Sequence, residues 1–421
     1  MVTPTWALPP GAGPRLVHVS STARGGRVAE LLSSLVPAQV ATGLSVGWAV
    51  VEGDAAFFAV TRYLHQLLHG RADALTTDRL AVSLPSYRTV LASQANRLVE
   101  RLTPGDVVVL HDPATLGMAP RLAAAGMAVV WHCHVGTTDG RATGPSAVWY
   151  AFAGELSDVD IVMTPLTEFA PPLVPPVRKR VVAPAVDPNS AKNRVLSRLE
   201  FADLLGNLGQ VDEDGPLPAG APLVLQVSRW DPLTEMPGVL RLVHQLPPEV
   251  HVVLACDGQT QDALEGWAVL EEIRSLRAAL SPAERARVHL VLPDDDDTER
   301  AALVVNALQR RADVVLQKSL GEGFGLSVTE AMVKGRAVVA ADVGGLREQV
   351  SPWHNGLLVD PRDNEAVVYA LRTMLGDELL RARLGRRAEE SARRRYLLPR
   401  MVADYERFVA ASLLVRAPEV A

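Results

Sequence analysis

Short apolar runs alternate along the chain with longer stretches of helical spacing, and each run ends on glycine or polar residues. In the N-terminal half the runs are Arg15–Ser20, Val46–Val51, Asp106–Leu110, Ala128–Trp131 and Val159–Met163. Runs of this length, bounded by turn residues and separated by helical segments, predict strands of a parallel sheet covered on both faces. Helices are predicted over Val28–Leu35 and Tyr87–Leu102, the second stopped by Pro104-Gly105. From Pro165 to Pro188 the pattern breaks at Pro171, Pro172, Pro175, Pro176 and Pro184; a helix is then predicted over Ser190–Leu205, followed by a glycine- and proline-rich acidic stretch, Gly206–Gly220. The alternation resumes with strands at Leu223–Val227, Val250–Ala255, Val288–Val291, Ala312–Gln317, Ala337–Ala341 and Gly356–Val359, and with helices including Gln261–Leu280, Glu378–Arg395 and Pro399–Leu414.

The fold class expected is α/β, with two doubly wound, Rossmann-like domains facing one another across a cleft. Residues 1–188 form the first, 221–396 the second, and 189–220 the connection. Polar residues gather just after the predicted strand ends, where open α/β sheets bind ligands.

Composition narrows the function classes. The 421 residues, 48% of them hydrophobic, supply core for two or three domains. A formal charge of -6, from 42 basic and 48 acidic residues, argues against a nucleic-acid partner, which favours a strongly basic face. Two distant cysteines, Cys133 and Cys256, do not make a disulfide framework and fit a reducing compartment, the cytoplasm. Met1–Pro14 lacks the basic and apolar regions of a signal peptide, and no apolar run is long enough for membrane insertion.

The strongest candidate for chemistry is the stretch Gly321-Glu322-Gly323-Phe324-Gly325-Leu326, running on to Glu330. It lies between a predicted strand and a predicted helix, Leu326–Lys334, that stops at Gly335. Backbone N–H groups at such a helix start form an anion site, with Glu322 at its mouth. An ordinary glycine turn is the alternative, and two glutamates flanking a glycine–aromatic loop weigh against it. Gly25-Gly26 follows the first strand without the spacing of a dinucleotide fingerprint, so a nicotinamide cofactor is disfavoured; a structural turn explains the pair equally well. Arg229 follows a strand beside Trp230-Asp231-Pro232 and suits phosphate oxygens, or equally an ion pair with Asp231. His111 and His134 follow apolar strands and are candidates for binding sugar hydroxyls, whereas His132 reads as a packed or capping residue. No third ligand at metal-site spacing joins His132 and His134, so no metal is expected. Asp294–Asp297 is read as a solvated loop whose last aspartate caps a helix at Thr298, with cation chelation as the alternative. The arginines from Arg386 to Arg395 interleave with Glu389 and Glu390 as a charged helix face.

With these residues the chain resembles the retaining glycosyltransferases of the GT-B fold, family 4, and within them the trehalose synthases that use a nucleoside diphosphate glucose. Glu322 and Glu330 stand as that family's paired glutamates. Ser20 to Glu30, Val51 to Asp54, His111-Asp112-Pro113, Pro184 to Pro188, Val227 to Pro232 and Val305 to Gln309 carry the rest of the match, over nearly the whole length. The resemblance implies that Glu322 contacts the donor sugar and Glu330 the ribose. Gly323, Phe324, Gly325 and Leu326 would meet the phosphate and sugar, Gly25 and Gly26 would close over the diphosphate, and Arg229 would neutralise it. His134 falls where related enzymes place a histidine near the anomeric carbon, and Asp54, His111 and Asp112 fall on the acceptor side. It further implies no cofactor beyond the sugar nucleotide, a sugar or cyclitol acceptor, and a final helix, in 397–421, packing back on the first domain. A homodimer is left open. Two departures stand out. Thr234 occupies the place of an expected lysine, so either another cation substitutes, Lys318 or Arg347, or the leaving group differs, or activity is low; and Ala114-Thr115 replaces a Gln-Pro pair, so an acceptor other than glucose is expected. An alanine- and arginine-rich composition associates the chain with aminoglycoside or pseudo-sugar biosynthesis. An epimerase, a phosphorylase and a nucleotide-sugar-binding protein without turnover are the alternatives.

Overall fold

The computed structural model describes residues 14–24, 26–256, 263–292 and 297–415. It divides into two units, one running to Pro184 and taking back the chain from Leu398, the other Ala185–Leu397.

The first unit holds six strands: β1 Leu16–Ser20, β2 Val46–Val50, β3 Val107–His111, β4 Ala128–His132, β5 Ile161–Thr164 and β6 Lys179–Val181. They form one parallel sheet in the order β2-β1-β3-β4-β5-β6. β1 to β5 are buried almost throughout, because helices cover both faces. The sheet winds one way from β1 to β2 and the other way from β1 to β3, so its switch point lies between β1 and β3. The final helix, Leu398–Val415, belongs to this unit; it lies on the helix Arg27–Ala41 and on β3 and β4, burying Met401 and Tyr405.

The second unit holds β7 Val211–Asp212, β8 Leu223–Ser228, β9 His251–Cys256, β10 Val288–Val291, β11 Val314–Gln317, β12 Ala337–Ala341 and β13 Leu357–Val359. Their order is β13-β12-β11-β8-β9-β10-β7, parallel except for the antiparallel edge pair β10–β7. The switch point lies between β8 and β11. β7 stands in the stretch read from sequence as a connection.

Two helices run further than their spacing predicts. Arg27–Ala41 continues through Pro37, and Thr76–Val99 begins nine residues before Pro85. Proline removes one helical hydrogen bond, but both helices bury a continuous face, Leu32, Leu35, Val36 and Gln39 in one and Leu80, Leu84, Tyr87 and Leu91 in the other. Burial of that face outweighs the lost bond. The helix predicted from Ser190 instead starts at Arg198, where Ser197 and Glu200 form a reciprocal capping box.

Candidate active site

In each unit predicted site residues stand at or just after the carboxyl ends of strands beside its switch point, His111 and Asp112 in the first and Arg229 and Glu322 in the second.

In the second unit, β11 leads into the loop Lys318–Gly325 and then the helix Leu326–Val333. Gly325 takes φ +88° as the residue before that helix, and no side chain caps the helix start. A Cβ at Gly344 would lie 1.8 Å from the Glu322 carbonyl oxygen, and one at Gly345 would lie 2.5 Å from Phe324 Cα. The two backbones therefore touch where only glycine fits. Gln349 braces the loop: its Nε2 donates to the carbonyls of Phe324 and Gly325, and its Oε1 accepts from the Thr329 hydroxyl at 2.7 Å. Glu322 is partly exposed at the loop, and its Oε2 accepts from Ser319 Oγ at 3.4 Å. Glu330 is buried, with Gln309 Nε2 3.4 Å from Oε2, one turn before the buried amine of Lys334, which donates to Gln309 Oε1 and Asn193 Oδ1.

Across the switch point, β8 delivers Arg229, which is partly exposed, and the turn to Thr234. Leu320 N–H donates to the Leu233 carbonyl at 2.7 Å, tying this turn to the glycine loop. Thr234, where a lysine was expected, is buried and donates its hydroxyl to the Asp231 carbonyl at 2.7 Å. Of the two proposed substitute cations, Lys318 is buried beside that turn, its amine 3.8 Å from Glu235. Burial lowers the Lys318 pKa below the ordinary lysine value, and Glu235 opposes the shift. Arg347 is instead paired with Asp342 at 2.6 Å and is half exposed.

In the first unit the switch point is filled by imidazoles. His18 lies within β1, His111 ends β3, His132 ends β4 and His134 follows it. His134 Nε2 lies 2.9 Å from His111 Nδ1, His111 Nε2 lies 2.9 Å from His18 Nδ1, and His18 Nε2 lies 2.9 Å from Gln39 Oε1. Burial holds His18 down to about 4, His134 down to about 3, and His111 and His132 well below the ordinary histidine range. All four rings are therefore neutral at pH 7. His132, set aside as a packed residue, is fully buried with Nδ1 against the Tyr405 hydroxyl.

Asp112 takes φ +60°, a conformation that aspartate tolerates better than most residues. It accepts the His134 backbone N–H at 2.8 Å, and burial pushes its carboxyl up to about 7. Tyr87 pins the following turn by donating to the Pro113 carbonyl and accepting the Gly117 N–H. Asp54 caps the helix Ala55–Leu68, accepting the Phe57 N–H at 2.8 Å. Gly26 precedes the helix Arg27–Ala41 at φ +80°, while Gly25 lies outside the described residues.

The statement that no third ligand accompanies His132 and His134 needs correction. His111 supplies one, and nitrogens of the three rings lie within 4.8 Å of one another. The spacing rule failed because His111 comes from another strand. Two features weigh against coordination in this arrangement: the His111 and His134 nitrogens face each other at N–H···N distance, and the His132 and His134 rings lie 3.9 Å apart at 31°, closer than two ligands spread around one ion. Of the aspartate run, Asp297 caps the helix Thr298–Arg311 as expected, and the preceding aspartates lie outside the described residues. Sequence reasoning missed His18, Gln39, Tyr405, Ser319 and Gln349. A histidine inside an apolar strand was the available signal for His18, since a buried ring needs partners.

Comparison with known proteins agrees with this architecture. Residues 18–171 match the family described as trehalose synthase, N-terminal domain, and residues 210–391 match glycosyl transferases group 1. The chain is 33% identical over 406 residues to the trehalose synthase of Rubrobacter xylanophilus, covering 95% of this chain and 91% of that one. It is 30% identical over 405 residues to the trehalose synthase of Pyrococcus horikoshii, covering 93% and 89%. In fold it is similar to an alpha,alpha-trehalose-phosphate synthase (UDP-forming) from Burkholderia xenovorans in complex with glucose-6-phosphate, with TM-score 0.72, 16% identity, and coverage of 94% of this chain and 100% of that one. With both halves matched and this identity sustained along nearly its whole length, the chain belongs to the trehalose synthase family of GT-B glycosyltransferases.

Proposed function

We propose that the protein transfers a glycosyl group, with retention of anomeric configuration and without a metal, from a nucleoside diphosphate sugar to a sugar or cyclitol acceptor. The observation that carries this reading is the glycine loop beside the second unit's switch point: a helix start with no capping side chain, a braced backbone, and the Glu322 carboxylate at its mouth. Leaving-group charge on a diphosphate needs fixed donors and cations. The helix start of Leu326–Val333, Arg229 and Lys318, its amine 3.8 Å from Glu235, supply them, so Lys318 takes over from the lysine absent at Thr234. Glu322 holds the donor sugar and Glu330 the ribose, with Gly323, Phe324, Gly325 and Leu326 offering backbone contacts.

On the first unit, His134, His111 and Asp112 serve the acceptor side, with Gly25 and Gly26 as backbone contacts to phosphate. Asp54 serves there only if its carboxylate can bind a hydroxyl while capping its helix. The compartment is the cytoplasm, consistent with Cys133 and Cys256 both buried and not joined in a disulfide. Among the described residues no helix is long and apolar enough to cross a membrane. An acceptor from natural-product biosynthesis fits the departure at Ala114-Thr115.

The test is a matrix of nucleoside diphosphate sugars against sugar and cyclitol acceptors, with products identified by mass spectrometry. Glu322→Ala should lower transfer by about 100-fold or more, the size seen when one preorganised active-site group is removed. Near-normal transfer by that variant would refute the assignment. Interconversion of donor sugar without acceptor would indicate an epimerase, and a strict need for inorganic phosphate a phosphorylase.

A further inference from the structure

The row of imidazoles in the first unit has a direction. The Gln39 side-chain oxygen can only accept a hydrogen bond, so the His18 nitrogen facing it, Nε2, must carry a proton. A neutral imidazole carries one proton, so His18 Nδ1 is bare and must accept. The nitrogen facing it, His111 Nε2, therefore donates. By the same rule His111 Nδ1 is bare and accepts from His134 Nε2. Each contact is 2.9 Å, an ordinary hydrogen-bond length. The row ends at His134, the one ring of the four that is partly exposed.

We infer that Gln39, acting through His18 and His111, fixes the proton of His134 on Nε2 and leaves Nδ1 bare as an acceptor for a hydroxyl group of the bound sugar.

Three observations support the direction. Gln39 and His18 are both fully buried, so no water competes for the first link. Burial keeps every ring of the row neutral at pH 7, so the one-proton rule applies throughout. Gln39 meets the row through its amide oxygen, 2.9 Å from His18 Nε2, while its amide nitrogen has no hydrogen-bond partner among the described residues. The ligand consequence follows from chemistry. A bare Nδ1 accepts from a polyol hydroxyl, whereas a protonated Nδ1 would face an anionic oxygen. Gln39 is thus a positioning residue, three side chains away from the ring it governs, and the inference rests on the proposed role of His134 only for the identity of the hydroxyl.

The test reads the tautomer directly. Protein labelled with nitrogen-15 histidine is observed at pH 7 by long-range proton–nitrogen NMR, and the His134 signals are assigned by their loss in His134→Gln. In the wild type, His134 should show a protonated Nε2 and a bare Nδ1. Gln39→Met removes the acceptor at nearly constant shape and should mix the two tautomers, moving both nitrogen signals toward their mean. Gln39→Glu restores an acceptor and should return the wild-type pattern. A protonated Nδ1 in the wild type would overturn the inference without any variant. So would a Gln39→Met protein with unchanged His134 signals, or a Gln39→Glu protein that fails to restore them. Gln39→Leu substitutes for Gln39→Met if the latter does not fold, judged by near-ultraviolet circular dichroism. Turnover plays no part in this readout, so an inactive protein with the stated tautomer would count against the transferase reading and leave the inference standing.

Discussion

The two units share an architecture and line their switch points with opposite materials. At the second unit's switch point the loop is built from main chain: glycines that let Glu322 and Gly344 touch, with Gln349 holding the carbonyls in place. At the first unit's switch point the lining is built from side chains, a row of histidines that starts from Gln39, with His132 beside it held by Tyr405. Backbone amides present a fixed field with no protonation state, which suits an anion of invariant charge. Imidazoles present a nitrogen that either donates or accepts, which suits hydroxyl groups. The difference teaches where each unit is vulnerable: the second to added atoms, the first to added protons.

The largest expected effect tests the first of these. Gly344→Ala places a carbon against the Glu322 carbonyl at a left-handed φ of +46°. The overlap and the backbone strain together should cost about 4 kcal/mol, read as a lowered urea midpoint for the second unit.

Acidification should separate the units next. His18 has its pKa depressed from 6.5 to about 4, so the unfolded chain takes up the proton first. The stability tied to its neutral form is present above pH 6.5 and is lost as pH falls toward 4, amounting to about 3 kcal/mol for this one ring. His111, His132 and His134 act in the same direction, and Asp112, whose carboxyl is raised to about 7 in the folded state, opposes them by taking up its proton there first. Urea unfolding at pH 7 and pH 4.5, followed by tryptophan probes in each unit, should show the first unit weakening more; equal losses would remove the contrast.

Gln349→Leu is a smaller perturbation of the main-chain site. It strands the Phe324 carbonyl and the Thr329 hydroxyl, both buried, at a cost of about 2 kcal/mol. Sugar-nucleotide affinity, measured by calorimetry, should fall with it, because the loop loses its brace. The smallest effect concerns Asp54. Asp54→Ala should cost about 1 kcal/mol through loss of the helix cap. Unchanged acceptor KM alongside that loss would mark Asp54 as structural, and a raised KM would keep it on the acceptor side.

Much of this was legible in the chain. Strand runs, the glycine loop and the placement of His111 and His134 after strands all follow from period, turn residues and the rule that open sheets bind at strand ends. The errors have physical causes. The expected helices stop at Leu35 and start at Tyr87, short of Pro37 and Pro85, because local propensity cannot weigh a buried helix face against one lost bond. The capping box at Ser197 was readable and was overlooked. The histidine row was only half visible, since Gln39 and Tyr405 meet these rings across long sequence separations. Local periodicity carries no trace of such contacts.

The helix Leu398–Val415 completes the first unit only after the whole of the second has been made. On the ribosome, an N-terminal domain ordinarily folds as it emerges. Here His132 waits for Tyr405, so a chain halted anywhere within the second unit carries a first unit whose histidine layer lacks its cover. An interrupted polypeptide would thus expose buried imidazole and apolar surface together, and so be recognisable to the machinery that clears unfinished proteins.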